Sequence, residues 1–195
     1  MAEIEFELIF ALPEGEHEAF DLMDAVFEAG FEDAIVGMGV PGVLGVALEA
    51  ASDRSEDAIL DAARAIQKQL PEGSVLREVR PDLVSLADVA KRLDVTRQSL
   101  QKRKMPPASQ GGLFRMDEIA VVIMDAAEGK GSGARKGRFA VDKAGKWLSA
   151  GKAARRVNAG IAVGAIDAAT LEVREDAKQF FYSDGVSCER RVGVN

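Results

Sequence analysis

Between Thr96 and Lys104 the chain places Arg97, Gln98, Ser99, Gln101, Lys102, Arg103 and Lys104 around one apolar residue, Leu100. In the major groove, arginine matches the paired acceptors of guanine and glutamine matches the donor–acceptor edge of adenine. Lysines and hydroxyls suit phosphate oxygens, which position a protein on a duplex without reading it. The chemistry these residues offer is recognition. Bond-making chemistry is poorly provided for, because the sequence holds one histidine, His17, and one cysteine, Cys188. Cys188 has no base beside it in sequence, so no nucleophile with a base and an orienting group assembles. Zinc sites of the Cys₂His₂ or Cys₄ type are impossible with this inventory. No catalytic residue, metal or cofactor is expected, and the chain is read as a binder.

Two helices must position the basic segment. Ser85, followed three residues later by Asp88, opens the first of them as a capping arrangement. Leu86, Val89, Ala90 and Leu93 give it an apolar stripe, and small Ala90 allows a close crossing. Asp94-Val95 makes the turn, where a residue tolerant of left-handed backbone is needed and aspartate serves better than most. Thr96 caps a second helix predicted to run through Lys104, with Val95 and Leu100 packing it against the first. In this reading Arg97, Gln98 and Gln101 meet base edges, while Lys102, Arg103 and Lys104 meet phosphates.

The stretch from Ser85 to Leu100 resembles the helix-turn-helix of MerR-like and phage excisionase-like winged-helix proteins. That resemblance implies a hairpin wing after the second helix and a further helix behind the pair. Met105 to Arg115 fits the wing, with Gly111-Gly112 as its turn, Phe114 directed to the core and Arg115 toward phosphate. Met116 starts the next helix, which carries Ile119, Val122, Ile123 and Ala126 inward. The resemblance covers about 45 of 195 residues. It implies double-stranded DNA as partner, through Ser85, Thr96, Arg97, Gln98, Ser99, Gln101, Lys102, Arg103, Lys104 and Arg115. The cysteines of MerR metal sensors are absent, so metal sensing does not carry over.

Residues 1–80 read as a separate unit. Glu3 to Phe10 alternates polar and apolar residues, the period of a half-buried strand. Phe20, Met23, Phe27 and Phe31 recur at helical spacing and predict a helix with that stripe inward, ending at Gly30. Ala34–Met38 and Val43–Leu48 are apolar runs around a turn at Gly39-Val40-Pro41-Gly42. Ser52 or Asp53 is expected to cap a second helix with Ile59, Ala62, Ala63, Ile66 and Leu70 on one side, and Ser74–Val79 closes as a strand. The order β-α-β-β-α-β predicts a ferredoxin-like sheet with both helices on one face. The other face, holding Ile9, Val43 and Ala47, would dimerise, bind a small ligand or be covered by the second half of the chain.

Three features of this unit do not carry the chemistry they mimic. Gly37-Met38-Gly39-Val40-Pro41-Gly42 has the glycine spacing of a dinucleotide fingerprint, but a strand follows it where the fingerprint needs a helix. The third strand has no aromatic residue, so base stacking of the RNA-recognition kind is not expected there. Glu14, Glu16, Glu18, Asp21 and Asp24 need no metal, since acids favour the start of a helix.

Charge separates along the chain. Residues 1–80 hold 18 Asp and Glu against 5 Lys and Arg, whereas residues 91–156 hold 16 Lys and Arg against 6 Asp and Glu. Such a split points to a half that meets a polyanion and a half that avoids one. With 47% hydrophobic and 29% charged residues the chain can bury a core. It has no apolar run long enough to cross a bilayer, and its N-terminus is unlike a signal or transit peptide, so a cytoplasmic protein is expected.

Residues 129–138 are Gly-rich and basic without the spacing of a nucleotide P-loop, and read as a linker. Val141–Val157 has the composition of a helix. Leu171-Glu172-Val173 and Phe180-Phe181-Tyr182 read as two short strands of a C-terminal α+β region, 139–195, with no assigned fold. The aromatic trio is expected in a core or a subunit contact.

The expected whole is α+β: a ferredoxin-like domain at 1–80, a winged helix-turn-helix at 83–128, the linker and the C-terminal region. The expected function is a homodimeric, sequence-specific transcriptional regulator, a repressor or autoregulator. The rival is a protein-interaction adaptor, such as an antitoxin or inhibitor, using the acidic 1–80 unit to hold a protein partner.

Overall fold

Alternation in the first strand places Ile4, Phe6, Leu8 and Phe10 on one face, all essentially buried, and Glu3, Glu5 and Glu7 on the other. The computed structural model describes residues 1–129 and 139–182, without the side chains of Ala2, Phe180 and Tyr182. Strand β1 (Ala2–Ala11) lies at the middle of a four-stranded antiparallel sheet with β2 (Ile35–Val40), β3 (Val43–Ser52) and β4 (Val75–Arg80), in the order β2-β3-β1-β4. Register joins Phe6 to Leu48, Leu8 to Val46 and Phe10 to Leu44, so the large side chains meet across strands on the buried face. Helices α1 (Ala19–Glu28) and α2 (Ser55–Gln67) belong to the same core. The protein is a mixed α+β fold with an antiparallel sheet.

Several local expectations change. Helix α1 buries Leu22, Ala25 and Val26, whereas Phe20 is 75% and Phe27 38% exposed. The helix has two apolar stripes, and the sheet accepts the one with the smaller side chains. It stops where Gly30 takes a positive φ of 94°. Helix α2 starts after Arg54, which makes no side-chain cap; Ser52 instead ends β3, and Asp53 lies outside the helix. The stripe Ile59, Ala62, Ala63, Ile66 and Leu70 is buried. The hairpin turn is only Pro41-Gly42, because Gly39 and Val40 belong to β2.

Beyond the sheet come β5 (Leu83–Val84), α3 (Leu86–Arg92), α4 (Arg97–Gln101), β6 (Phe114–Arg115) and α5 (Met116–Ala127). Two long connections in the last part are helical: α6 (Val141–Ala162) and α7 (Glu175–Tyr182). Of the two short strands expected after residue 170, Phe180-Phe181-Tyr182 is instead part of α7, and Leu171-Glu172-Val173 lies in the loop before it. Val173 makes one isolated bridge, to Ile166, and Phe181 enters the sheet core from a helix that begins with Glu175 and Asp176, acids suited to its first turn. The linker beyond Gly129 and Cys188 lie outside the described residues.

Helix α6 joins the molecule together. Ala150, Ala153, Ala154 and Val157 enter the sheet core, while Ala144, Trp147 and Leu148 enter a second core built around α3, α4 and α5. Small residues let it approach closely. Asn158 binds both backbone groups of Val79, accepting from its N–H at 2.7 Å and donating to its carbonyl at 2.8 Å. The acidic sheet face is met by cations from this second half. Arg92 pairs with Glu5 at 2.6 Å, and Lys146 pairs with Glu3 at 3.0 Å and also with Glu49. The opposite half of that face remains open at Ile35, which is 75% exposed. Among the described residues no helix is long and apolar enough to cross a membrane.

The loop after α6 is tied back to α2. Arg64 donates to the Leu171 carbonyl at 2.9 Å, and Gln67 donates to those of Ala169 and Ser74 at 2.7 and 2.9 Å. Asp167 organises the loop by accepting from the Ala169 and Thr170 amides at 2.8 and 2.9 Å. These bonds, Thr170 foremost, hold its carboxyl below the usual range. A lowered folded-state pKa stabilises above the unfolded value, and that contribution disappears as pH falls through the folded one. Urea unfolding between about pH 5 and pH 2 should show acid destabilisation that is smaller in Asp167→Ala. Equal pH dependence in the two proteins would refute the role given to this carboxylate.

Candidate nucleic-acid interface

The helix pair is set by short-range side-chain bonds. Ser85 Oγ donates to Asp88 Oδ2 at 2.6 Å and accepts from the Asp88 amide at 3.2 Å, while the Ser85 amide donates to Asp88 Oδ2 at 3.3 Å. This is a complete capping box at the start of α3. Thr96 Oγ1 accepts from the Ser99 amide at 3.2 Å and lies 2.9 Å from Ser99 Oγ, capping α4. Between the helices Asp94 has φ 53°, the left-handed conformation that the turn requires. The Val95 amide donates to the Ala90 carbonyl at 3.0 Å, which brings the chain around into α4.

Packing decides which side faces out. Val89, Leu93 and Leu100 are fully buried with Met116, Ile119 and Ile123 of α5 and with Trp147 and Leu148 of α6. Val122, expected inward, is only half-buried, and Met116 takes a buried place. Helix α4 is shorter than expected: it ends at Gln101, not Lys104, with Lys102 as its C-cap. Leu100 is its sole buried residue. Thr96, Arg97, Gln98, Ser99, Gln101, Lys102 and Lys104 are all exposed.

Three expected site residues are held otherwise. Arg103 is half-buried, with its guanidinium carbon 4.7 Å from the centre of the Phe139 ring. The cation–π contact fixes it at the edge of the surface. Arg115 is directed not outward but to Asp82, at 2.7 Å. Ser85 uses its hydroxyl in the capping box. The segment before Phe114 is not a two-stranded wing. Gly111 and Gly112 do turn with positive φ, yet only Gln110 and Leu113 bridge across them, and Phe114-Arg115 pairs with Val84-Leu83. Met105-Pro106-Pro107 explains the absence of a first strand, since prolines lack the donor that a ladder needs.

Residues outside the sequence-based set position the pair. Asp82 takes Arg115 on one carboxylate oxygen and Asn158 Nδ2 on the other, at 3.1 Å, and its carbonyl accepts from the Met116 amide at 2.8 Å. Arg92 lies 5.3 Å from the centre of the Trp147 ring while it pairs with Glu5. Both connections reach across much of the chain and leave no local signal in sequence.

Among the described residues, Arg97, Lys102 and Lys104 have no ion-pair partner, and no three His, Cys, Asp or Glu side chains are arranged to hold a metal ion. The surface is therefore a short cationic and amide-bearing ridge on a buried two-helix base. Compared with family models, curated proteins and solved structures, the chain matches none of them.

Proposed function

We propose that the protein is a non-enzymatic, sequence-specific DNA-binding regulator of the cytoplasm, a repressor or autoregulator. In this reading α3 and α4 act as a helix-turn-helix of MerR-like or excisionase-like type, and residues 1–80 as a ferredoxin-like support. The observation that carries the proposal is the ridge from Thr96 to Lys104, where cations and amides stand exposed while Leu100 anchors the helix beneath. A merely solvated helix would be expected to balance its cations with nearby acids. Here residues 96–104 contain four Lys and Arg and no acid.

Arg97, Gln98 and Gln101 read base edges, and Lys102 and Lys104 neutralise phosphates. Thr96 and Ser99 hydroxyls border the same phosphates. Arg103 stands at the rim on Phe139, and Ser85 and Arg115 act from behind by holding the helices. A recognition helix of five residues reaches few base pairs, so a homodimer on two half-sites supplies the remaining affinity.

The test is fluorescence anisotropy on genomic fragments at several salt concentrations. Affinity should fall linearly on logarithmic axes, with a slope near −0.9 for each phosphate neutralised. Arg97→Ala with Gln98→Ala should weaken binding to the preferred fragment by about 1–3 kcal/mol per side chain, with thermal stability unchanged. Binding that ignores salt, or a double variant that binds like the parent, would refute the proposal.

A further inference from the structure

Helix α1 presents Phe20 and Phe27 seven residues apart, on the side opposite the buried Leu22, Ala25 and Val26. Two exposed phenylalanines on one helix face are unusual for a face that meets only water. Half-buried Met23 borders the pair on one flank, and Asp24 and Glu28, both exposed, border it on the other. Among the described residues none of Glu18, Asp21, Asp24 and Glu28 has an ion pair. The surrounding sequence is one-signed: residues 1–53 contain 13 Asp and Glu and no Lys or Arg.

The geometry points to the outer face of α1 as a docking surface for a cationic, amphipathic helix of another protein. Charge selects this occupant. A second copy packed through the same face would bring the same acids against each other, since residues 1–53 have no lysine or arginine to offer in return. DNA and anionic lipid surfaces are repelled for the same reason. A helix with apolar residues on one side and Lys or Arg at its border would cover Phe20 and Phe27 and meet Asp24 and Glu28, apolar stripe against apolar stripe as two amphipathic helices pair. The surface lies on a different element from the proposed DNA ridge and does not depend on that reading.

The experiment uses the full chain and a synthetic helical peptide of about 18 residues, with leucines on one face and lysines on the other. A control peptide carries glutamates for lysines. Amide chemical shifts should move along α1 with the lysine peptide and stay still with the glutamate peptide. Phe20→Ser with Phe27→Ser should weaken the lysine peptide at least about tenfold, as anchor residues do. Both side chains are exposed, so the fold should survive, and unchanged shifts in the sheet core would verify this. Asp24→Asn with Glu28→Gln should weaken binding and reduce its salt dependence. The proposal is overturned if both peptides bind alike, if shifts map away from α1, or if the phenylalanine variant binds normally. Sedimentation showing a dimer that needs Phe20 and Phe27 would assign the face to a second copy instead. Association with phosphatidylserine vesicles through those residues would assign it to a membrane.

Discussion

Gly151→Val will destabilise the whole protein, by about 3 kcal/mol or more, because the crossing of α5 and α6 has no room for a side chain. A Cβ at Gly151 would stand 2.5 Å from Met116 Cγ, 2.8 Å from Met116 Cβ and 3.1 Å from the backbone nitrogen of Asp117. The last contact cannot be relieved by a rotamer, so the helices must part. One turn further on, Arg155 pairs with Asp117 at 2.9 Å, and that contact would be disturbed with them. Gly145, in the same helix, is a control, because a Cβ there meets nothing within 4 Å. Gly145→Ala should stabilise by roughly 0.5–1 kcal/mol through helix propensity alone. Opposite signs for Gly151→Ala and Gly145→Ala in urea unfolding are the expected signature. A stabilised Gly151→Ala would show that the helices do not cross so closely.

Leu100→Ala is expected to lower stability by about 2–5 kcal/mol, as large-to-small changes do in packed cores. The functional effect should be larger than that figure alone suggests. Leu100 is the only buried side chain of α4, so its loss leaves five residues held by the Thr96 cap and little else. On the proposed DNA-binding reading, affinity for the preferred fragment should then drop well over tenfold even where the protein remains folded, and amide exchange should accelerate in α4 before it does in β1 or β3. Leu100→Met, which nearly conserves volume, should retain both properties to within about 1.5 kcal/mol. Normal DNA binding by Leu100→Ala would mean that α4 is not the contacting element.

What was legible in the sequence was local. The capping box of Ser85 and Asp88, the Thr96 cap and the left-handed Asp94 depend on groups within a few residues of one another, so spacing alone reveals them. The alternation of β1 is legible for the same reason, because its period follows from the pleat itself. The end of α1 at Gly30 and the buried stripe of α2 follow equally from neighbours along the chain.

Side-chain direction and partner choice belonged to the tertiary structure. Arg115 had the same basic appearance as Arg97, yet Asp82 holds one and no described acid holds the other. Arg103 joins Phe139 across 36 positions, and Asn158 joins Val79 across 79. Helix α6, rich in alanine and glycine, has too weak an apolar contrast to announce that it serves two cores. In α1 the sequence by itself determined that a helix forms, since both of its stripes have helical spacing. Which stripe is buried was decided only by assembly: the sheet takes Leu22, Ala25 and Val26, whose smaller side chains permit close approach, and the phenylalanines Phe20 and Phe27 are left on the outside.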